Sequence, residues 1–318
     1  MSPLLALAGL AGLYVFTRAK ARRIAAAYPP EGRFASAGGG RLHFTERPAD
    51  GAARATVLLV HGASGNQADM MTALGAPLAA AGFRVIAVDR PGHGWSDRPG
   101  GRTDAAPSRQ SAMIRAAMEE AGVARAIVVG HSLGGAIAAN MAIEHPDFVA
   151  GLVLVAPVTH PWPGGVSWYY TPASAPVIGE AFTSLVSLPA GLALLDPGIA
   201  SVFTPQRPPE NYDEATRVRL VLRPATFRAN AQDVAGLKPH IVAQARRLGE
   251  IRAPTAIVTG DSDAIVYTHI HSYGSARDIP GATLTVLPGV GHAPHHTNPA
   301  EVVAAVEQVF GRAASDAD

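Results

Sequence analysis

Ala126-Ile127-Val128-Val129-Gly130-His131-Ser132-Leu133-Gly134-Gly135 constrains this chain more than any other stretch. A β-branched run feeds into Gly130-His131-Ser132-Leu133-Gly134, and small, helix-compatible residues follow. The pattern predicts a strand, a sharp turn and a helix, with a serine on the turn. Glycines two positions before and after Ser132 remove side chains that would collide as strand and helix converge. The hydroxyl would then stand at the C-terminal edge of a sheet and at the N-terminus of a helix, whose dipole favours developing negative charge. Five such residues also arise by chance in a Gly- and Ala-rich chain, so the context must carry the assignment.

That context alternates. Residues 41–46, 55–60, 84–89, 151–156, 255–260 and 282–287 read as strands, several of them continuous apolar runs suited to burial on both faces. Residues 68–81, 108–121, 133–145, 267–277 and 299–310 read as helices, and 288–296 as a loop. Strand and helix in turn predict an α/β fold: a mostly parallel central sheet with helices on both faces. Residues 157–248 break the pattern, with dense prolines, no evident buried strand and an aromatic cluster at Trp162, Trp168, Tyr169 and Tyr170. A block of this length between two core strands predicts an inserted helical cap. Its aromatics either line a substrate pocket, for which Trp162, Trp168 and Tyr169 are the candidates together with His131, or simply pack the cap onto the core.

The chain has 318 residues, 48% of them hydrophobic, enough for a large core. A formal net charge of +1 gives no basic excess for nucleic acid. With no cysteine, thiol nucleophiles, disulfides and cysteine-based zinc sites are excluded. Residues 3–17 are almost entirely apolar, and Arg18, Lys20, Arg22 and Arg23 follow at once. A secretory signal carries its charge before the apolar run, not after it. Residues 1–23 are therefore expected to form an uncleaved membrane anchor, at the short limit for a bilayer span, in preference to an interfacial helix or a cleaved leader. The basic cluster would keep the catalytic domain on the cytoplasmic face. Residues 24–40, with Pro29-Pro30 and Gly38-Gly39-Gly40, read as a linker. Residues 41–156 and 249–312 read as the core, and 313–318 as a polar tail.

Taken in order, five features give residues 40–312 a resemblance to the α/β-hydrolase superfamily, in its cap-bearing serine branch. They are the strand end His61-Gly62-Ala63, the loop Asp89-Arg90-Pro91-Gly92-His93-Gly94, the turn around Ser132, the acid in Gly260-Asp261-Ser262-Asp263, and the base in Gly291-His292. The order serine, aspartate, histidine is the family's own. The resemblance implies Ser132 as nucleophile, His292 as base and Asp263 as the acid that orients it, with Asp261 a close competitor. It also implies backbone N–H groups of Ala63 and Leu133 as the oxyanion hole. His295 and His296 lie near the base; a histidine cluster can bind metal, but no acidic or histidine partner sits at i, i+4 spacing, so no metal is expected. His93 is expected to serve structurally beneath the site.

The implied activity is hydrolysis of a carboxylic ester or similar acyl bond through an acyl-enzyme, without cofactor. The apolar cap and the anchor point to a small, lipophilic substrate. Carbon–carbon bond hydrolysis and cofactor-free perhydrolysis use related serine triads and stay open, as does a receptor-like member that binds a ligand under the cap. The sequence does not specify oligomeric state.

Overall fold

In a computed structural model, residues 3–315 are described. The elements that matter here are helix α1 (Pro3–Ala27), strands β1 (Arg33–Ala37), β2 (Gly40–Arg47) and β3 (Ala55–Val60), helix α2 (Gln67–Ala80), strand β4 (Phe83–Val88), helix α3 (Pro107–Glu120), strand β5 (Ala126–His131), helix α4 (Leu133–Glu144), strand β6 (Val149–Val155), helix α5 (Pro224–Ala245), strand β7 (Thr255–Gly260), helix α6 (His271–Asp278), strand β8 (Thr283–Leu287) and helix α7 (Pro299–Ser315). The eight strands form one sheet in the order β1-β2-β4-β3-β5-β6-β7-β8. β2 runs antiparallel to β1 and β4, and the remaining pairs are parallel.

β3, β5, β6 and β7 are apolar along nearly their whole length because helices cover both faces of the sheet. Leu58, Val60 and Val128 point into one apolar layer with Ile114 of α3 and Ile137 of α4. Their neighbours Val57, Leu59 and Val129 point into the opposite layer, against Leu74 of α2 and Val306 of α7. The two-residue strand period thus divides each strand between two cores. This sandwich leaves the C-terminal ends of the parallel strands as the open edge, where α/β folds place their ligands.

Between β6 and β7 the chain leaves the sheet and forms only helices and loops, ending in α5. α1 joins this region: Ile24 packs with Leu188, Leu220, Val221 and Leu222. The N-terminal part of α1 projects exposed leucines, Leu4, Leu5 and Leu7 among them. Among the described residues α1 is the one single helix long and apolar enough to cross a membrane, by length and composition.

Residues 24–40 correct the expectation of a linker. They hold the end of α1 and strand β1, whose Ala35 and Ala37 are buried. Ala37 pairs with Gly40, so Gly38 and Gly39, both at positive φ (60° and 91°), close a two-residue hairpin. The glycine run is turn chemistry that locks two strands in register. At the other end, α7 continues to Ser315, so residues 313–315 of the expected tail are helical; 316–318 lie outside the described residues. The loop at 288–296 contains the start of a short helix, Pro294–Thr297.

Candidate active site

β5 delivers Ser132 onto the sharp turn at φ 54° and ψ −119°, a strained conformation for a residue with a side chain. Backbone bonds hold it there. The Ser132 N–H donates to the Val155 carbonyl at 3.0 Å, and the Ser132 carbonyl accepts from the N–H groups of Gly135 and Val158 at 2.9 and 3.0 Å. A Cβ on Gly130 would lie 2.4 Å from the Gly134 carbonyl oxygen, and one on Gly134 would lie 2.3 Å from that of Val60. The two flanking glycines therefore permit α4 to sit directly on β5 and β3.

His292 Nε2 lies 2.9 Å from Ser132 Oγ, and His292 Nδ1 lies 2.7 Å from Asp263 Oδ2. All three side chains are buried. Asp263 Oδ1 accepts from the backbone N–H groups of Ile265 and Val266, both at 2.9 Å, which fixes the carboxylate face that meets the imidazole. A carboxylate beside Nδ1 selects the tautomer with its proton there, leaving the Nε2 lone pair for the serine hydroxyl. Asp261 faces elsewhere: its Oδ1 accepts from Ser262 Oγ and the Gly289 N–H.

On the other side of Ser132 lies the turn after β3. A Cβ on Gly62 would come within 3.0 Å of Ser132 Cβ, so only glycine lets this turn close on Ser132. The Ala63 N–H finds no acceptor among the described residues. Leu133 heads α4, where the first amides have no intrahelical acceptor. Two free donors thus flank the hydroxyl.

The alpha/beta hydrolase fold model matches residues 55–299. The chain belongs to the alpha/beta hydrolase family. It is 28% identical over 263 residues to the 2-hydroxy-6-oxononadienedioate/2-hydroxy-6-oxononatrienedioate hydrolase of Cupriavidus pinatubonensis, covering 79% of this chain and 84% of that protein. It is 28% identical over 242 residues to the pimeloyl-[acyl-carrier protein] methyl ester esterase of Aromatoleum aromaticum, covering 73% and 90%. The crystal structure of a bacterial membrane phospholipase A shares the fold with a TM-score of 0.69 at 22% identity, over 98% of this chain and 96% of that one.

In this hydrolase the cap braces the turn after β3 through residues that no motif marks. Ser64, at φ 59°, donates its N–H to Asn230 Oδ1 of α5 at 2.7 Å, and Asn230 Nδ2 donates back to Ser64 Oγ at 3.1 Å. Burial, first, and neighbouring Tyr169 push the pKa of Tyr170 up. One turn further along α5, Asp233 Oδ2 accepts from Arg90 Nη1 at 2.6 Å and its Oδ1 from Arg98 Nη2 at 2.8 Å. Arg90 is fully buried and spends its other donors on Gln110 Oε1 (2.9 Å) and on the carbonyl of Gly62 (3.2 Å). His61 and His93 are buried beside it; desolvation and then the Arg90 charge push both well below the usual histidine range, so both are neutral. His93 lies in that layer, with Nε2 3.1 Å from Arg90 Nη2.

Two expected pocket residues lie elsewhere. His131 is directed beneath the triad: its Nε2–H donates to the His292 carbonyl at 2.9 Å, and its ring lies 4.2 Å from that of His295. Trp168 is 75% exposed, with Tyr169 as its one aromatic neighbour among the described residues. Tyr169 is half-buried against Tyr170 and Phe227, and Trp162 packs against the core and the ring of His271.

Asp69, His131 and His295 form a buried group whose donor atoms lie within 4.8 Å of one another, the arrangement among the described residues that could hold a divalent cation. Asp69 already accepts from His296 Nε2 (2.8 Å), the Tyr212 hydroxyl (2.9 Å) and His295 Nε2 (3.3 Å). Burial opposes its ionisation, but the bonds from His295 and His296 outweigh that and hold the carboxyl well below the usual range.

Proposed function

We propose that this alpha/beta hydrolase cleaves a carboxylic ester by acyl transfer, with Ser132 as nucleophile, His292 as base and acid, and Asp263 as its orienting carboxylate. The single observation that carries the reading is the 2.9 Å contact between Ser132 Oγ and His292 Nε2, with the Asp263 carboxylate behind the ring. His292 takes the Ser132 proton as Oγ attacks the ester carbonyl, and the N–H groups of Ala63 and Leu133 receive the oxyanion. Each such donor supports about 2.7–4 kcal/mol of barrier lowering. Collapse releases the alcohol with a proton from His292. Water, deprotonated by the same ring, then hydrolyses the acyl-enzyme.

The substrate in this reading is lipophilic, and residues 1–23 anchor the enzyme to a membrane with the catalytic domain on the cytoplasmic side. The exposed leucines of α1 and the basic residues Arg18, Lys20, Arg22 and Arg23 support the anchor. Carbon–carbon hydrolysis by the same triad is the second reading, favoured by the similarity to the oxononadienedioate hydrolase. The test is fluorophosphonate labelling of the wild type and Ser132→Ala, followed by p-nitrophenyl esters of increasing chain length. Labelling and long-chain turnover by the wild type alone are expected. Equal labelling of both overturns the nucleophile, and a preference for short, water-soluble esters overturns the lipophilic substrate.

A further inference from the structure

The residue before the nucleophile and the residue three past the base meet in the interior, where His131 Nδ1 lies 2.9 Å from the point that a Cβ on Gly62 would occupy. His131 and His295 are buried, their rings 4.2 Å apart, and His131 also lies 4.8 Å from the His292 ring. Neither Nδ1 has a hydrogen-bond partner. His131 uses Nε2–H on the backbone carbonyl of His292 at 2.9 Å, and His295 uses Nε2–H on Asp69 at 3.3 Å. Asp69 belongs to α2, the helix after the oxyanion turn, and gathers Tyr212 from the cap and His296 from the base loop onto its other oxygen.

We propose that Asp69, His295 and His131 form a positioning relay that fixes the loop carrying His292, so that the base meets Ser132 at hydrogen-bond distance. The inference rests on the triad reading above. The topology makes such a device necessary. His292 sits on a loop beyond β8, whereas Ser132 is anchored rigidly between β5 and α4. Asp263 fixes how the imidazole is rotated, but it cannot fix where the His292 backbone stands. The His292 N–H donates to the Val202 carbonyl at 3.0 Å, and the bond from His131 to the His292 carbonyl adds a tether from the residue covalently next to the nucleophile. The Asp69 carboxylate ties the other end of the same loop, through His295 and His296, to the helix that follows the oxyanion turn. The three parts of the machinery are thereby referenced to one buried cluster. A displacement of the base by about 1 Å costs on the order of a hundredfold in rate, which is the scale on which this relay acts.

The discriminating pair is His131→Leu and His131→Gln, since the Gln amide can donate to the His292 carbonyl from a similar reach and Leu cannot. Wild type, both variants, Asp69→Asn and Ser132→Ala are compared in p-nitrophenyl ester kinetics, fluorophosphonate labelling rate and thermal midpoint. His131→Leu is expected to lower kcat and labelling rate about 10- to 100-fold with KM little changed. His131→Gln should recover most of that loss at a thermal midpoint similar to that of the Leu variant. Asp69→Asn should fall between them. Equal rates for the Leu and Gln variants, or rate losses that only track thermal midpoint, overturn the relay. Labelling of Ser132→Ala at the wild-type rate overturns the triad reading instead, so the two failures are distinct.

Discussion

Replacing Asp233 by leucine tests how the cap is joined to the catalytic core. Asp233 and Arg90 are both fully buried and 2.6 Å apart, and Arg98 reaches the second carboxylate oxygen at 2.8 Å. Removing the carboxylate strands the Arg90 guanidinium in the interior with only the neutral Gln110, Gly62 and His93 acceptors beside it. Breaking a buried pair from one side typically costs about 3–5 kcal/mol, because the remaining charge keeps its desolvation penalty. For a chain of this size a loss of 1 kcal/mol lowers Tm by about 2–4 °C, so Asp233→Leu should melt roughly 6–20 °C below wild type. Because Arg90 also bonds the Gly62 carbonyl, activity should fall before the protein unfolds. The double variant Arg90→Met/Asp233→Leu removes both charges and should recover part of the stability, though not the activity, since the Gly62 carbonyl then loses its Arg90 donor. Urea denaturation followed by circular dichroism, with ester turnover at 25 °C, measures both. A loss below about 1 kcal/mol for Asp233→Leu, or a double variant less stable than the single, would refute the reasoning.

Acid should destabilise the fold between about pH 6.5 and 4. Burial is the main cause that pushes His271 and His295 down to about 4 from an ordinary 6.5. The unfolded chain therefore takes up protons that the folded one refuses, and stability present above pH 6.5 is lost as pH falls. At about 1.4 kcal/mol per pH unit, each ring can withdraw up to about 3 kcal/mol across that window, and a urea midpoint unchanged between pH 7.5 and 4.5 would contradict this. Gly130→Ala should displace α4 from β5, since its Cβ would lie 2.4 Å from the Gly134 carbonyl oxygen. Such overpacking costs about 1–3 kcal/mol and should slow fluorophosphonate labelling by a larger factor than it lowers stability; labelling at the wild-type rate would show that the turn tolerates a side chain.

How much was legible in the sequence differs from element to element. Continuous apolar runs such as residues 55–60 and 126–131 announce strands buried on both faces, and glycine spacing announces the turn at Ser132. β1 was hidden because its buried residues are alanines, Ala35 and Ala37, and because its hairpin glycines resemble a flexible joint. Asp263 and Asp261 are nearly equivalent by spacing; the bonds from Ile265 and Val266 turn one toward His292, while Gly289 holds the other away. His131 reads as a pocket residue from its adjacency to Ser132, whereas its bond to the His292 carbonyl depends on a loop 161 residues further on and leaves no local signal.

The sequence by itself determined the family, the central sheet and the residue types able to perform serine chemistry, because each is encoded locally, in period, in glycine placement and in short motifs. Tertiary structure alone decided the supports: Asn230 on the Ser64 amide, Asp233 on Arg90, and Asp69 with its histidines behind the base. These contacts join segments up to 227 residues apart. Their partners are chosen by which buried donor is left unsatisfied once the chain has closed, and no local pattern records that choice.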